Sequence, residues 1–97
     1  MDELEMLELK QTIQFKKDLR CMFKRGVNMD LLDEVIILLR ERKKLPEKYK
    51  DHPLTGNWAG HRDCHIQPDW LLIYRIDDDA LVLTATRTGT HSDVFQK

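Results

Sequence analysis

With 97 residues, 41% of them hydrophobic, the chain can build one core, and it reads as a single domain over residues 1 to 97. Its longest apolar run, Val35 to Leu39, is far too short for a membrane span, and the first six residues are acidic where a signal peptide would be basic and then apolar. Two cysteines, Cys21 and Cys64, with no CxxC spacing point to a reduced cytoplasmic protein without a disulfide.

The net charge of −1 conceals a division along the chain. Residues 1 to 9 carry four acids and no base, residues 10 to 50 carry twelve Lys and Arg against six Asp and Glu, and residues 51 to 97 carry four against seven. A basic half can hold a polyanion backbone while the other half keeps the residues that do chemistry. Solvated helix faces are the plainer reading of the same pattern.

Leu7, Leu9 and Ile13 alternate with polar residues, which suits a short half-buried strand. Thr12 offers an N-cap, and Phe15, Leu19, Met22 and Phe23 form the apolar stripe of a first helix that stops at Gly26. Asn28 or Asp30 caps a second helix with a wide apolar face from Leu31 to Leu39, closed by the basic run Arg40 to Lys44 and by Pro46. The two helices are expected to form a hairpin. From Tyr49 onward turns and strands alternate: Trp58 to Ile66, Trp70 to Ile76 and Ala80 to Arg87. Trp70 to Tyr74 is apolar at every position, as a central strand covered on both faces requires. The predicted fold is α+β, a two-helix hairpin packed on a small, mainly antiparallel sheet, in the order βααβββ.

A three-residue loop at Asp77 to Asp79 would set Ile76 opposite Ala80, Trp70 opposite Thr86 and Asp69 opposite Arg87. The turn at Gln67-Pro68 would bring His65 beside Asp69 and Trp70, so three ionisable groups would converge. All four histidines, His52, His61, His65 and His91, lie in the second half, and their side chains titrate nearest neutrality. Cutting RNA by internal attack needs a base for the 2′-hydroxyl, an acid for the departing 5′-oxygen and a cation for the phosphate. Histidine and aspartate supply the first two, and Arg87 could hold a phosphate through two parallel hydrogen bonds.

No metal or other cofactor is called for. His61 and His65 fall on the opposite strand face from Cys64, which opposes a zinc site, and Cys64 reads as packing rather than as a nucleophile. Trp70 has two readings, core filling or a stacking platform for an unpaired base. Phe95 and His91 lie on a tail expected to be mobile and to swing in with substrate. Trp58, Tyr49 and Tyr74 are assigned to the core, and His61 to a structural role.

Tyr49-Lys50-Asp51-His52-Pro53-Leu54, Gly56-Asn57-Trp58, Arg62-Asp63-Cys64-His65-Ile66, Pro68-Asp69-Trp70-Leu71-Leu72-Ile73-Tyr74 and Arg87-Thr88-Gly89-Thr90-His91-Ser92-Asp93 with Phe95 together resemble the YafQ branch of the RelE-like toxin superfamily. Phe15-Lys16-Lys17-Asp18-Leu19 and Lys24-Arg25-Gly26 are similar to its first helix. The resemblance implies a RelE-like fold and a type II toxin that cuts translated mRNA in the ribosomal A site of the 70S ribosome. It also implies restraint by a DinJ-like ribbon-helix-helix antitoxin, which alone would carry the complex to operator DNA. The family's active-site set falls on His52, His65, Asp69, Trp70, Arg87, His91 and Phe95.

Joined to the residue reading, His91, or Asp69 with His65, would move the protons, while Arg87 and His52 would stabilise the phosphate without a metal. Trp70 and Phe95 would contact bases, and Lys16, Lys17, Arg20, Lys24 and Arg25 would meet RNA backbone. Rival readings are a ParE-like sibling that poisons gyrase and an inactive partner-binding module, neither of which needs the His/Asp/Arg set. The departures from the family pattern are the acidic extension Met1 to Met6 and the low net charge.

Overall fold

Thr12 begins the first helix as its sequence requires: its hydroxyl accepts from the Phe15 N–H at 2.9 Å, opening α1 (Ile13–Lys24) directly after β1 (Glu8–Gln11). The computed structural model describes residues 6 to 95, so residues 1 to 5 of the acidic extension lie outside the described residues. Asn28 caps α2 (Met29–Arg40) by accepting from Asp30 N–H. That helix ends with Arg42 in the left-handed region, where Arg42 and Lys43 N–H donate to the Leu39 and Leu38 carbonyls. Phe15, Asp18 and Met22 are the buried residues of α1, whereas Phe23, expected on the stripe, is 69% exposed. At roughly 100° per residue it has turned past that face.

After a 3₁₀ turn at Glu47–Tyr49 come β2 (His52–Pro53), a second 3₁₀ turn at Gly56–Trp58, β3 (Arg62–Gln67), β4 (Trp70–Asp77), β5 (Val82–Gly89) and α3 (His91–Phe95). The sheet order is β1-β5-β4-β3-β2, with β1 parallel to β5 and the other pairs antiparallel. The α+β class and the mainly antiparallel sheet are as expected, but the order βααβββ omitted β2 and α3. Trp70 through Tyr74 are all buried, as expected of a central strand.

Cys64, Ile66, Trp70, Leu72, Tyr74, Leu83 and Ala85 meet Phe15, Met22, Leu32, Val35, Ile36 and Leu39 in one core. By strand alternation Asp63, His65, Leu71 and Ile73 then take the other face of the sheet. Where β1 ends, α1 takes over the edge of β5. Thr12 donates through its N–H to the Ala85 carbonyl and through its hydroxyl to the Thr86 carbonyl, and Asp18 accepts from Thr88 N–H.

The register between β4 and β5 differs from the expected one. Asp77 stays in the strand opposite Val82, the loop is residues 78 to 81, and Leu81 adopts a left-handed conformation while Asp77 accepts from Ala80 N–H. A bulge follows: Tyr74 pairs with Ala85 but Ile73 pairs with Arg87, leaving Thr86 as the extra residue. An unbroken ladder would have set Arg87 opposite Leu72, on the core face. The bulge instead moves it to the other face.

Candidate active site

That other face carries a row of cross-strand partners, His52 on β2, Asp63 on β3, Ile73 on β4 and Arg87 on β5. The next row along holds His65, Leu71 and Gly89. The chain then enters α3 through a capping box. Thr90 Oγ1 accepts from Asp93 N–H, and Asp93 accepts from Thr90 N–H, so the segment expected as a mobile tail is a capped helical turn. Gly89 has φ +151, and a Cβ there would sit 2.9 Å from Asp93 Cβ, so the close approach of α3 needs glycine.

The three histidines are held alike. His52 Nδ1 lies 2.7 Å from the Lys50 carbonyl, His65 Nδ1 3.3 Å from the Pro68 carbonyl, and His91 Nδ1 2.6 Å from Asp69 Oδ1. A carbonyl can only accept, so His52 and His65 carry a proton on Nδ1; His65 offers Nε2 to a reacting group, whereas His52 Nε2 lies 3.7 Å from Asp63 Oδ2. Lys50 presents its carbonyl from a left-handed conformation, at φ 50. The His65 and His91 rings are 5.5 Å apart and those of His52 and His65 6.4 Å, with Phe95 6.5 Å beyond His91. His52 and His91 side chains are about half exposed, open to substrate.

Asp69 occupies the turn between β3 and β4 and accepts from both the N–H and Nδ1 of His91. Hydrogen bonding to His91 holds its carboxyl below the usual range. The expected pairing of Asp69 with Arg87 is therefore corrected to Asp69 with His91, a consequence of the longer loop and the bulge.

Arg87 also departs from its expected geometry. Its Nε and Nη2 donate to Asp18 at 2.7 and 3.3 Å, and Nη2 lies 3.4 Å from the Asp93 carbonyl. The Nε/Nη2 edge of the guanidinium is occupied by a buried carboxylate and Nη2 is shared with the Asp93 carbonyl, so only Nη1 lacks a partner among the described residues. Trp70 is likewise corrected as a stacking platform: it is 2% exposed, in the core, and donates from Nε1 to Thr88 Oγ1 at 2.9 Å.

Of the basic residues on α1, Lys16, Lys17, Arg20 and Lys24 are exposed. Arg25 is tied to Asp93 at 2.7 and 3.2 Å, and these bonds hold the Asp93 carboxyl well below the usual range. Arg25 fastens α3 to α1 rather than standing free for RNA. Phe95 sits edge-on to Trp58 at 6.4 Å, and Trp58 in turn meets His61 at 5.4 Å, so Trp58 borders the site and is only half-buried. Cys64 lies in the core with its thiol pushed up by burial, on the face away from His65. Among the described residues no three His, Cys, Asp or Glu side chains are arranged to hold a metal ion.

Sequence reasoning passed over Asp63. It is 4% exposed, faces His52, and burial raises its carboxyl above the usual range. An acid alternating with Cys64 and Ile66 looks like the solvent side of a strand. The only signal available was its position between two candidate histidines in the pattern.

Residues 7 to 96 match the family described as the bacterial toxin of type II toxin-antitoxin system, YafQ. The mRNA interferase toxin YafQ of Escherichia coli K12 is 43% identical over 83 residues, covering 84% of this chain and 88% of that protein. A metal-bound toxin from Helicobacter pylori superposes with a TM-score of 0.88 at 40% identity, covering 93% of this chain and 100% of that one. YafQ from the E. coli DinJ-YafQ complex superposes with a TM-score of 0.83 at 41% identity, covering 92% and 98%.

Proposed function

The chain belongs to the YafQ family of bacterial toxins of type II toxin-antitoxin systems, and from that membership we propose that it is an endoribonuclease that cuts translated mRNA in the ribosomal A site. The observation that carries the reading is the cluster of three histidines held through Nδ1, of which His65 and His91 have Nε2 left for proton transfer.

Their partners divide the work. Asp69 holds the His91 ring through Nδ1 and its backbone N–H, which fixes Nε2 in place, and His91 is assigned as the acid that protonates the departing 5′-oxygen. His65 donates to a neutral carbonyl and suits the base that takes the 2′-hydroxyl proton. The freed O2′ then attacks phosphorus as the bond to O5′ breaks. Arg87 Nη1 and His52 stabilise the phosphate, and Phe95, packed on Trp58 and beside His91, holds a base. Lys16, Lys17, Arg20 and Lys24 meet ribosomal RNA backbone, which makes binding fall steeply with salt.

The partner is a DinJ-like ribbon-helix-helix antitoxin, by analogy with the E. coli complex, and the toxin reaches operator DNA only through it. The site of action is cytoplasmic, on the 70S ribosome; among the described residues no helix is long and apolar enough to cross a membrane. Purified toxin added to programmed ribosomes is expected to leave 2′,3′-cyclic phosphate or 3′-phosphate ends and 5′-hydroxyl ends, in EDTA as in buffer. Ends bearing 5′-phosphate, or cleavage abolished by EDTA, would contradict the proposal.

A further inference from the structure

His91 and Phe95 both ride on α3, a helix of five residues, a length that does not hold its own shape in water. Val94 is its one buried side chain, and it stands outside the main core. The orientation of α3 must be fixed by other contacts.

Asp93 joins three elements. Its Oδ2 accepts from Arg25 Nη1 at 2.7 Å and from Thr90 N–H at 3.0 Å, and its Oδ1 accepts from Arg25 Nη2 at 3.2 Å. Its own N–H donates to Thr90 Oγ1 at 3.1 Å, and its carbonyl lies 3.4 Å from Arg87 Nη2 on β5. Arg25 is the C-cap of α1, with its backbone N–H bonded to carbonyls of that helix's last turn. The two-pronged pair therefore ties a fixed point on α1 to the turn that bears His91.

The Arg25 and Asp93 side chains are 46% and 33% exposed, and an ion pair this open to water adds little to global stability. Its effect is geometric. Two parallel N–H···O bonds set the rotation of α3, which an apolar contact at Val94 leaves undirected. Asp69 aims the His91 ring, but from a turn in which its own side chain is largely exposed.

We propose that Arg25 and Asp93 are positioning residues whose ion pair sets α3 so that His91 Nε2 meets the departing 5′-oxygen, in the ribonuclease reading given above, on which this inference rests. Neither residue touches RNA in this scheme. Arg25, read from the sequence as a contact to RNA backbone, acts instead through the histidine.

The test uses full-length toxin with Arg25→Met, which keeps a long apolar stem and removes the charged fork. Single-turnover cleavage at saturating programmed ribosomes is expected to fall roughly 10- to 10²-fold, as a small misplacement of a reacting group causes. Ribosome affinity and its salt dependence should stay at wild-type values, and the melting midpoint should move by no more than a few degrees. Arg25→Lys keeps the charge without the two parallel bonds, so it should recover only part of the rate. In the free toxin the Val94 N–H, bonded to the Thr90 carbonyl at 3.0 Å, should exchange faster in Arg25→Met than in wild type. Should Arg25→Met not fold, Asp93→Asn, which keeps an oxygen for the Thr90 N–H, is read in the same assays.

Added to His91→Ala, Arg25→Met is expected to lose most of its effect, since it acts through the missing ring. Full additivity of the two losses would overturn the proposal. So would wild-type cutting by Arg25→Met at saturation with weaker ribosome binding and a shallower salt slope, the signature of a phosphate contact. His91→Ala that cuts like wild type sinks the ribonuclease reading, whereas wild-type cutting by Arg25→Met beside an inactive His91→Ala sinks only the inference.

Discussion

Replacing His91 with alanine is expected to slow mRNA cleavage by about 10²- to 10⁴-fold, the usual contribution of a positioned acid or base. The fold should hardly notice. The side chain is 49% exposed and fills no core space, and the backbone N–H that binds Asp69 survives the substitution. Its thermal midpoint should therefore move by only a few degrees, in line with about 0.5 kcal/mol for an exposed site. Single-turnover cleavage on programmed ribosomes and a melting curve on the same sample check both halves. Undiminished growth arrest by the variant, without cuts in cellular mRNA, would favour a gyrase-poisoning or partner-binding role on the same scaffold.

Trp70→Ala is expected to do the reverse, costing roughly 3 to 5 kcal/mol of stability, as truncation of a buried aromatic does. Three features add up here. The ring is 2% exposed in the main core, its loss leaves a cavity, and Thr88 Oγ1 loses a donor while still donating to the Leu71 carbonyl at 2.6 Å. A fall of more than about 10 °C in the melting midpoint follows for a domain of this size. Trp70→Phe keeps most of the packing and loses only the hydrogen bond, so it should stay folded and keep cutting. A base-stacking role would be indicated instead if Trp70→Ala melted like wild type while its affinity for mRNA collapsed.

Local signals in the sequence were read well because local chemistry makes the element. Thr12 and Asn28 announce α1 and α2 by capping them, and the all-apolar run from Trp70 to Tyr74 can only be covered on both faces. The histidines, Asp69 and Phe95 were legible as residue types, but their partners were not. Which acid meets His91 depends on a loop of four residues rather than three and on one extra residue, Thr86, opposite β4. A period-2 pattern does not reveal a bulge, and a shift of one residue exchanges the faces, which is why Arg87 was paired with the wrong carboxylate.

Asp18 and Asp63 illustrate the same limit. Each is a charge in an otherwise ordinary amphipathic pattern, and each is buried only because a distant element covers it: Arg87 and the β5 edge for the first, His52 and the sheet for the second. The box Thr90-His91-Ser92-Asp93, by contrast, was written in the sequence. Its nearness to the chain end made it look like a tail.

The central claim is that histidines on this sheet direct the 2′-hydroxyl of mRNA against its own neighbouring phosphate. The most direct measurement is cleavage of ribosome-bound mRNA carrying a single 2′-deoxynucleotide on the 5′ side of the scissile bond, compared with all-ribose mRNA. The account predicts that the all-ribose message is cut there and the substituted one stays intact at that bond; cutting of both at equal rates would contradict it.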